Sequence, residues 1–573
     1  MKYKCLQPER ISDVRELVVR ASKLFSDRIA FKELSHGLEV LEYTYAQVEQ
    51  DCNAFGTKLL QMGMSGYHIA LISESSYNWV LTFLTVMCGV GVLVPLDKEL
   101  MPEDIAALLH KSDADAIICS ETFVPMITEI LDECPNVKTV IVMNPTKAYP
   151  KFYEMPALIS QGRKLVLLGD RSYREKTVDP DAMCELLFTS GTTGANKGVM
   201  LSHKNLLADL FGFMHYIRVT SVSFSVLPIH HSFESTCNIF GVLYTGNTLC
   251  INDSLKHLIN NFAVFKPGMS LMVPLFLEAM YKSIWEGAKK EKMEKYLSYG
   301  IKISNLLRFF GIDLRRRFFR PVHEKFGGGL IQIVSGGAPL RMELIKKFDE
   351  IGINVINGYG ITECAPVIST NASDWKKPGT VGRILPGCKV RIADPDKRGN
   401  GEIEVKGDIV MLGYYKDEAG TNAVFTEDGY FKTGDLGRLD KQNFLYITGR
   451  KKNLIILPNG KNVCPEELEA VIGTIPYVKE VMVYSDKAEG KDVIAADVFL
   501  DMQYFVENNI TDIRQKLDQD IRRLNNTLPV YKRIGDVKIV EKEFEKTTTK
   551  KIKRQAEMKR RMYNEQLRLQ KNT

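Results

Sequence analysis

LLFTSGTTGANKGVMLSH, residues 186–203, is the stretch on which the reading of the chain turns. An apolar run, CELLF at 184–188, enters a loop made almost wholly of Gly, Ser and Thr, and a second apolar run leaves it. Glycines let the backbone approach a phosphate closely, and hydroxyls with exposed N–H groups supply donors. Lys197 adds a positive charge on a long stem. These are the parts of a polyphosphate cradle. It is not a Walker A loop, because Lys197 follows Asn196 and precedes Gly198 where GxxxxGK[ST] is needed. A short Gly/Thr run alone describes a flexible turn equally well. The ten-residue string TSGTTGANKG, 189–198, is far more specific.

Upstream of the loop, short apolar runs alternate with helical patterns. HIALIS (68–73), GVLVPL (91–96), DAIICS (115–120) and TVIVMN (139–144) predict buried strands. PEDIAALLHKS (102–112) and TFVPMITEILDEC (122–134) predict helices between them. That alternation predicts an α/β fold with a largely parallel sheet. Downstream, IQIVSG (331–336) and INVING (353–358) continue it. Residues 281–325, rich in Lys, Arg and aromatics, interrupt it as a helical insertion. After about residue 450 the rhythm changes. VKEVMVY (478–484), VIAADVFL (493–500) and DVKIVE (536–541) predict strands, and DIRQKLDQDIRRLNNTL (512–528) a helix. The expectation is a large N-terminal domain of layered α/β subdomains, 1–450, and a small mobile α+β domain, 451–573.

Bulk properties set limits around this. The 573 residues exceed one compact core. A formal net charge of +6 is small for that length and gives no argument for a nucleic-acid partner. Eleven cysteines without a CxxC pair read as reduced thiols of a cytoplasmic protein, and no zinc spacing occurs. The charged N-terminus has no apolar signal-peptide core. NWVLTFLTVMCGVGVLVPLD, 78–97, approaches the length of a membrane span, but Gly89, Gly91 and Pro95 divide it into a buried helix and a buried strand.

Further motifs follow in order: LPIHHSFE (227–234), VSGGAPL (334–340), NGYGITE (357–363), YFKTGDLG (430–437), ITGRKKN (447–453) and KTTTKKIKR (546–554). With TSGTTGANKG, they resemble the signatures of the adenylate-forming superfamily, over nearly the whole chain. Within it, VSGGAPL and the basic insertion are most like long-chain fatty acid–CoA ligases. The resemblance implies ATP-dependent activation of a medium- to long-chain fatty acid to acyl-AMP, with pyrophosphate release, followed by thioester formation with CoA. Transfer to acyl carrier protein and activation of an aryl or other acid are the alternatives. Retention of Glu363 and Lys551 argues against a non-catalytic acyl-nucleotide binder.

The resemblance also assigns residues. Thr189, Ser190, Gly191, Thr192, Thr193, Gly194 and Lys197 form the phosphate loop, and Glu363 with Thr189 binds Mg²⁺, a hard cation that takes oxygen ligands. Tyr359 stacks on adenine with Gly337 and Ala338 as the opposing wall, Gly360 belongs to the same nucleotide-binding set, and Thr362 contacts the α-phosphate. Asp435 accepts from the ribose hydroxyls, with Arg450 as a second contact. Of the pair His230–His231, alignment favours His231 near the substrate carboxylate. Lys551, three residues before Arg554, is the C-terminal catalytic lysine; Lys550 stands where the family has Gly. Lys452 aligns with the hinge between two working positions of the small domain, and residues 453–469 follow it as the face presented to the thioester step. Phe and Arg interleaved at 308–325, and the basic run 550–571, add an expected peripheral contact at the inner membrane surface.

Overall fold

A computed structural model describes residues 6–35, 39–190, 196–457, 461–488, 491–546 and 552–571. The chain divides into two compact units: residues 1–390 with 405–431, and residues 391–404 with 432–573.

The first unit contains two large sheets. In one, the strands His68–Ile72, Val92–Pro95, Ala116–Cys119 and Thr139–Val142 pair in parallel, with His68–Ile72 between Val92–Pro95 and Ala116–Cys119. These short strands of four or five residues are almost entirely buried, as strands covered on both faces must be. Met183–Ser190 joins them in parallel at Leu93↔Glu185, then turns back as Asn196–Ser202, antiparallel, with Thr189 opposite Lys197. Gly413–Tyr414 adds to the outer edge of Asn196–Ser202. The other sheet has nine strands, whose centre, Thr248–Ile251, Val222–Ser225, Met269–Met272, Gln332–Ser335 and Asn354–Gly360, is parallel.

The sequence boundaries hold to within a few residues. Pro102 starts the predicted helix Pro102–Lys111, its missing N–H costing nothing in the first turn. The predicted 122–134 helix is instead three pieces: a 3₁₀ turn at Glu121–Phe123, the helix Val124–Ile130, and a second 3₁₀ turn at Leu131–Glu133. Pro125 follows the first break, as a residue that fits only a first turn. Residues 78–97 form no span. Ser76 caps the helix Tyr77–Thr85, a π-helical turn follows at Val86–Val90, and Gly89 (φ +138°) breaks it before the Val92–Pro95 strand. Among the described residues no helix is long and apolar enough to cross a membrane. Residues 281–325 are helical as expected, with Pro274–Lys290, Glu294–Phe309, Arg315–Phe318 and Arg320–Lys325.

The second unit has an antiparallel strand pair, Phe431–Leu439 with Leu445–Arg450, in a four-stranded sheet. Beyond it, Val478–Ala488 pairs antiparallel with Lys491–Leu500, which pairs in parallel with Ile534–Val540. The helix Ile513–Thr527 makes the crossover that a parallel pair requires. Leu468, Ile472, Val483, Ala496, Val498 and Leu517 are among its buried core residues. The basic tail is a helix, Arg554–Lys571, fastened to its own unit: Arg554 pairs with Glu469, and Arg561 pairs with Asp486 and, at 3.2 Å, with Asp497. Part of its charge is therefore spent on internal ion pairs.

Candidate active site

Several of the residues singled out in the first unit lie where its strands end. Ser190 is the last residue of Met183–Ser190, and Thr189 precedes it. Gly337 and Ala338 follow Gln332–Ser335, while Tyr359 and Gly360 close Asn354–Gly360. Carboxyl ends of strands in open α/β sheets are where ligands bind, because loops there can diverge around a crevice. At Gly360 the chain approaches its neighbour so closely that a Cβ would stand 1.8 Å from the Pro366 carbonyl oxygen, so a side chain is excluded. The next turn, a 3₁₀ element at Thr362–Cys364, carries Thr362 and Glu363.

Pairing of Gly413–Tyr414 onto Asn196–Ser202 delivers a residue that the sequence reading did not single out. Tyr414, opposite Val199, is buried. Its hydroxyl donates to Glu363 Oε1 at 3.0 Å, and the Lys197 ammonium lies 4.3 Å from its ring centroid. Tyr414 therefore joins a carboxylate and a cation from two motifs far apart in the chain. The ring face attracts the cation and the O–H fixes the carboxylate. Burial, then the Glu363 charge, pushes the Tyr414 phenol far up, so it remains a donor. A backbone bond from Met411 N to Glu363 O, 2.9 Å, holds the same turn.

The two histidines separate. His231 caps the short helix Ser232–Glu234, with Nδ1 accepting from Phe233 N–H at 3.2 Å; this leaves the ring proton on Nε2. His230 faces Asp97, 3.8 Å away, and burial lowers its pKa. The helix that His231 caps ends in a buried acid. Glu234 accepts from Asn238 Nδ2 at 2.7 Å, and Asn238 Oδ1 accepts from Ser223 Oγ at 2.6 Å. Burial pushes the Glu234 carboxyl to about 8, so it is a protonated structural group at neutral pH.

In the second unit, Asp435 and Arg450 are cross-strand neighbours, and Arg450 Nε donates to Asp435 Oδ1 at 2.7 Å. The Asp435 carboxylate is 4% exposed and Arg450 is 40% exposed. Lys452 sits in the 3₁₀ turn Lys451–Asn453. Burial, then Arg450, pushes its ammonium down against the pull of Asp435. Lys452 lies inside the second compact unit, and the helix Pro465–Ile472 packs against the Leu445–Arg450 strand. Lys551 and the loop residues Gly191, Thr192, Thr193 and Gly194 lie outside the described residues, as does the Ser190 side chain. What flanks Lys551 is described: Lys546 and Ile552 form an antiparallel bridge, Lys546 pairs with Glu480, and Arg554 with Glu469.

Layered α/β sheets with a carboxylate–tyrosine–lysine set gathered at the strand Asn196–Ser202 and its edge partner Gly413–Tyr414 are the frame of a nucleotide-handling enzyme. The chain belongs to the AMP-binding enzyme family, within the adenylate-forming superfamily: the family model matches residues 19–415, and the model of the AMP-binding enzyme C-terminal domain matches 452–567. It is 27% identical over 500 residues to the long-chain-fatty-acid–CoA ligase FadD15 of Mycobacterium bovis, covering 84% of this chain and 80% of that one. It is 26% identical over 535 residues to the chloroplastic long-chain-fatty-acid–[acyl-carrier-protein] ligase AEE15 of Arabidopsis thaliana, covering 81% and 73%. The fold matches ATP-bound MatB from Rhodopseudomonas palustris with a TM-score of 0.74 at 23% identity, over 95% of this chain and 98% of that one. The protein is thus an AMP-forming, acid-activating ligase.

Proposed function

We propose that the protein activates a medium- to long-chain fatty acid with ATP and transfers the acyl group to CoA. The observation that carries this reading is the Lys197–Tyr414–Glu363 set at the strand ends. Similarity to the long-chain ligases supports the acid class. A carboxylate is a poor acyl donor, since attack on it must expel oxide. Its oxygen instead attacks the α-phosphorus of ATP, and the bond to the β-phosphate oxygen breaks. A mixed anhydride, acyl-AMP, forms and pyrophosphate leaves. The CoA thiolate then attacks the acyl carbon and expels AMP.

Positioning and charge stabilisation account for most catalysis of such a transfer. The oxygen donors of Glu363 and Thr189 fit Mg²⁺, which takes few protein oxygens, and would hold it; the ion would supply charge neutralisation at the phosphates. Lys197 and the loop Thr189–Gly194 grip the polyphosphate. Tyr359 stacks on adenine against Gly337 and Ala338, Gly360 lines the nucleotide site, and Thr362 orients the α-phosphate. Asp435 and Arg450 hold the ribose, His231 orients the substrate carboxylate, and Lys551 stabilises the transferring phosphoryl group. Pyrophosphate release measured across acids of different chain length, with and without CoA, tests the proposal. Long-chain acids are expected to give fastest release and a CoA thioester. Release without thioester, rescued by acyl carrier protein, supports the second reading, which similarity to the acyl-carrier-protein ligase favours. No release with any fatty acid rejects both.

A further inference from the structure

The helix Glu294–Phe309 carries apolar side chains on two opposite faces. Inward, Leu297 and Ile301 pack against the core that contains Phe262, Phe326 and Phe348, and Ser304 is fully buried. Outward, Tyr296, Tyr299, Ile303 and Leu306 recur at alternating three- and four-residue spacing, and Phe309 and Phe310 complete the row. Tyr296 is 70%, Leu306 61%, Phe309 83% and Phe310 69% exposed. A surface helix ordinarily turns polar residues to water. A continuous exposed apolar row marks a surface that meets a partner.

Charge indicates which partner. Lys295 and Lys302 run along one flank of the row, with the Lys302 ammonium 5.7 Å from the Tyr299 ring centroid. No Asp or Glu occurs from Lys295 to Ile312. A second copy laid row against row would bring lysines together with no carboxylate from this segment to meet them. An anionic bilayer meets both features, taking aromatic and aliphatic groups at the headgroup–acyl boundary and lysines among the headgroups. The neighbouring arginines do other work. Arg308 pairs with Asp349 at 2.9 Å, Arg315 with Asp313 and Asp349, and Arg316 donates to the Leu330 and Gly328 carbonyls. Phe319 and Phe326 are buried. Of the phenylalanines in 308–325, Phe309, Phe310 and Phe318 are exposed and Phe319 is buried, so the exposed row runs from the helix Glu294–Phe309 into the start of that segment, while Arg308, Arg315 and Arg316 are held internally.

We propose that the outward face of Glu294–Phe309, with Phe310, is a docking surface for an anionic lipid bilayer. This stands apart from the identity of the acid, since it rests on exposure and charge alone. The test is co-sedimentation of the full chain with vesicles of phosphatidylcholine and phosphatidylglycerol, compared with phosphatidylcholine alone. Binding is expected to favour the anionic vesicles and to weaken with salt. The double substitution Phe309→Ser with Phe310→Ser removes only exposed groups, so melting temperature should hold while vesicle partition falls by about tenfold or more. Lys295→Gln with Lys302→Gln should lower partition onto anionic vesicles alone, by a smaller factor. Absence of vesicle binding, or equal binding by the phenylalanine variant and the parent, overturns the proposal. So does a concentration-dependent dimer in the parent that the phenylalanine variant loses, which would assign the face to a second copy.

Discussion

At the scale of single residues, Glu363 and Tyr414 make separable predictions. Glu363→Gln keeps shape and removes charge from a hard-cation site. Pyrophosphate release should fall steeply and its Mg²⁺ titration should move to higher concentration; an unmoved titration takes Glu363 out of the metal shell. Tyr414→Phe keeps the ring beneath Lys197 and removes the donor at 3.0 Å from Glu363. A hydrogen bond to a charged group contributes about 1.5–3 kcal/mol, so a loss of roughly ten- to a hundredfold in turnover is expected. Tyr414→Ala, which also removes the cation's partner, should cost more; equal loss in the two variants would mean that only the hydroxyl matters. Glu363 was legible in the sequence because it ends a motif. Tyr414 was not: its place depends on Gly413–Tyr414 adding to a strand far back in the chain. Nothing in GYYK, 413–416, announces that pairing.

At the scale of elements, strands and helices were legible wherever burial imposes a pattern, as in AIIC and TVIV. Breaks that depend on backbone geometry were less so, and the 122–134 region came apart around its proline. Buried acids within regular elements were not legible at all, since a lone Glu in sequence reads as surface. Glu234 and Glu185 both hold their protons to about 8 because they are buried, Glu185 with no hydrogen-bond partner among the described residues. The unfolded chain releases those protons near 4.5. Between these values the folded state binds more protons than the unfolded one, so stability declines as pH rises through the window and levels off above about 8. Glu234→Gln keeps an acceptor for Asn238 and cannot ionise. Its melting temperature should decline less than the parent's between pH 5 and 8, and a double variant with Glu185→Gln should decline less again. Parallel curves for parent and variants would show that these carboxyls ionise freely in the folded state.

At the scale of the whole molecule, the two-step reaction predicts a defined failure when Lys452 becomes proline. Lys452 lies in a 3₁₀ turn, whose φ near −60° proline accepts. The substitution should preserve the turn and forbid other torsions. Lys452→Pro is expected to release pyrophosphate in a single turnover yet stall when acyl-AMP and CoA must combine; Lys452→Ala should be mild. Equal loss in both half-reactions points to damaged folding, and equal survival places the pivot elsewhere. Fold class was legible from strand–helix alternation, and the order of the motifs carried the family. The compact units were harder to read, because Arg391–Glu404 folds with residues 432–573 across an intervening stretch that belongs to the first unit. That discontinuity has a consequence during translation. The ribosome delivers residues 391–404 before the residues they fold with, and those strands wait for roughly seconds while 405–431 emerges. A nascent chain halted near residue 430 would expose an unpaired strand edge, the kind of surface that chaperones cover and that neighbouring polysomal chains can capture.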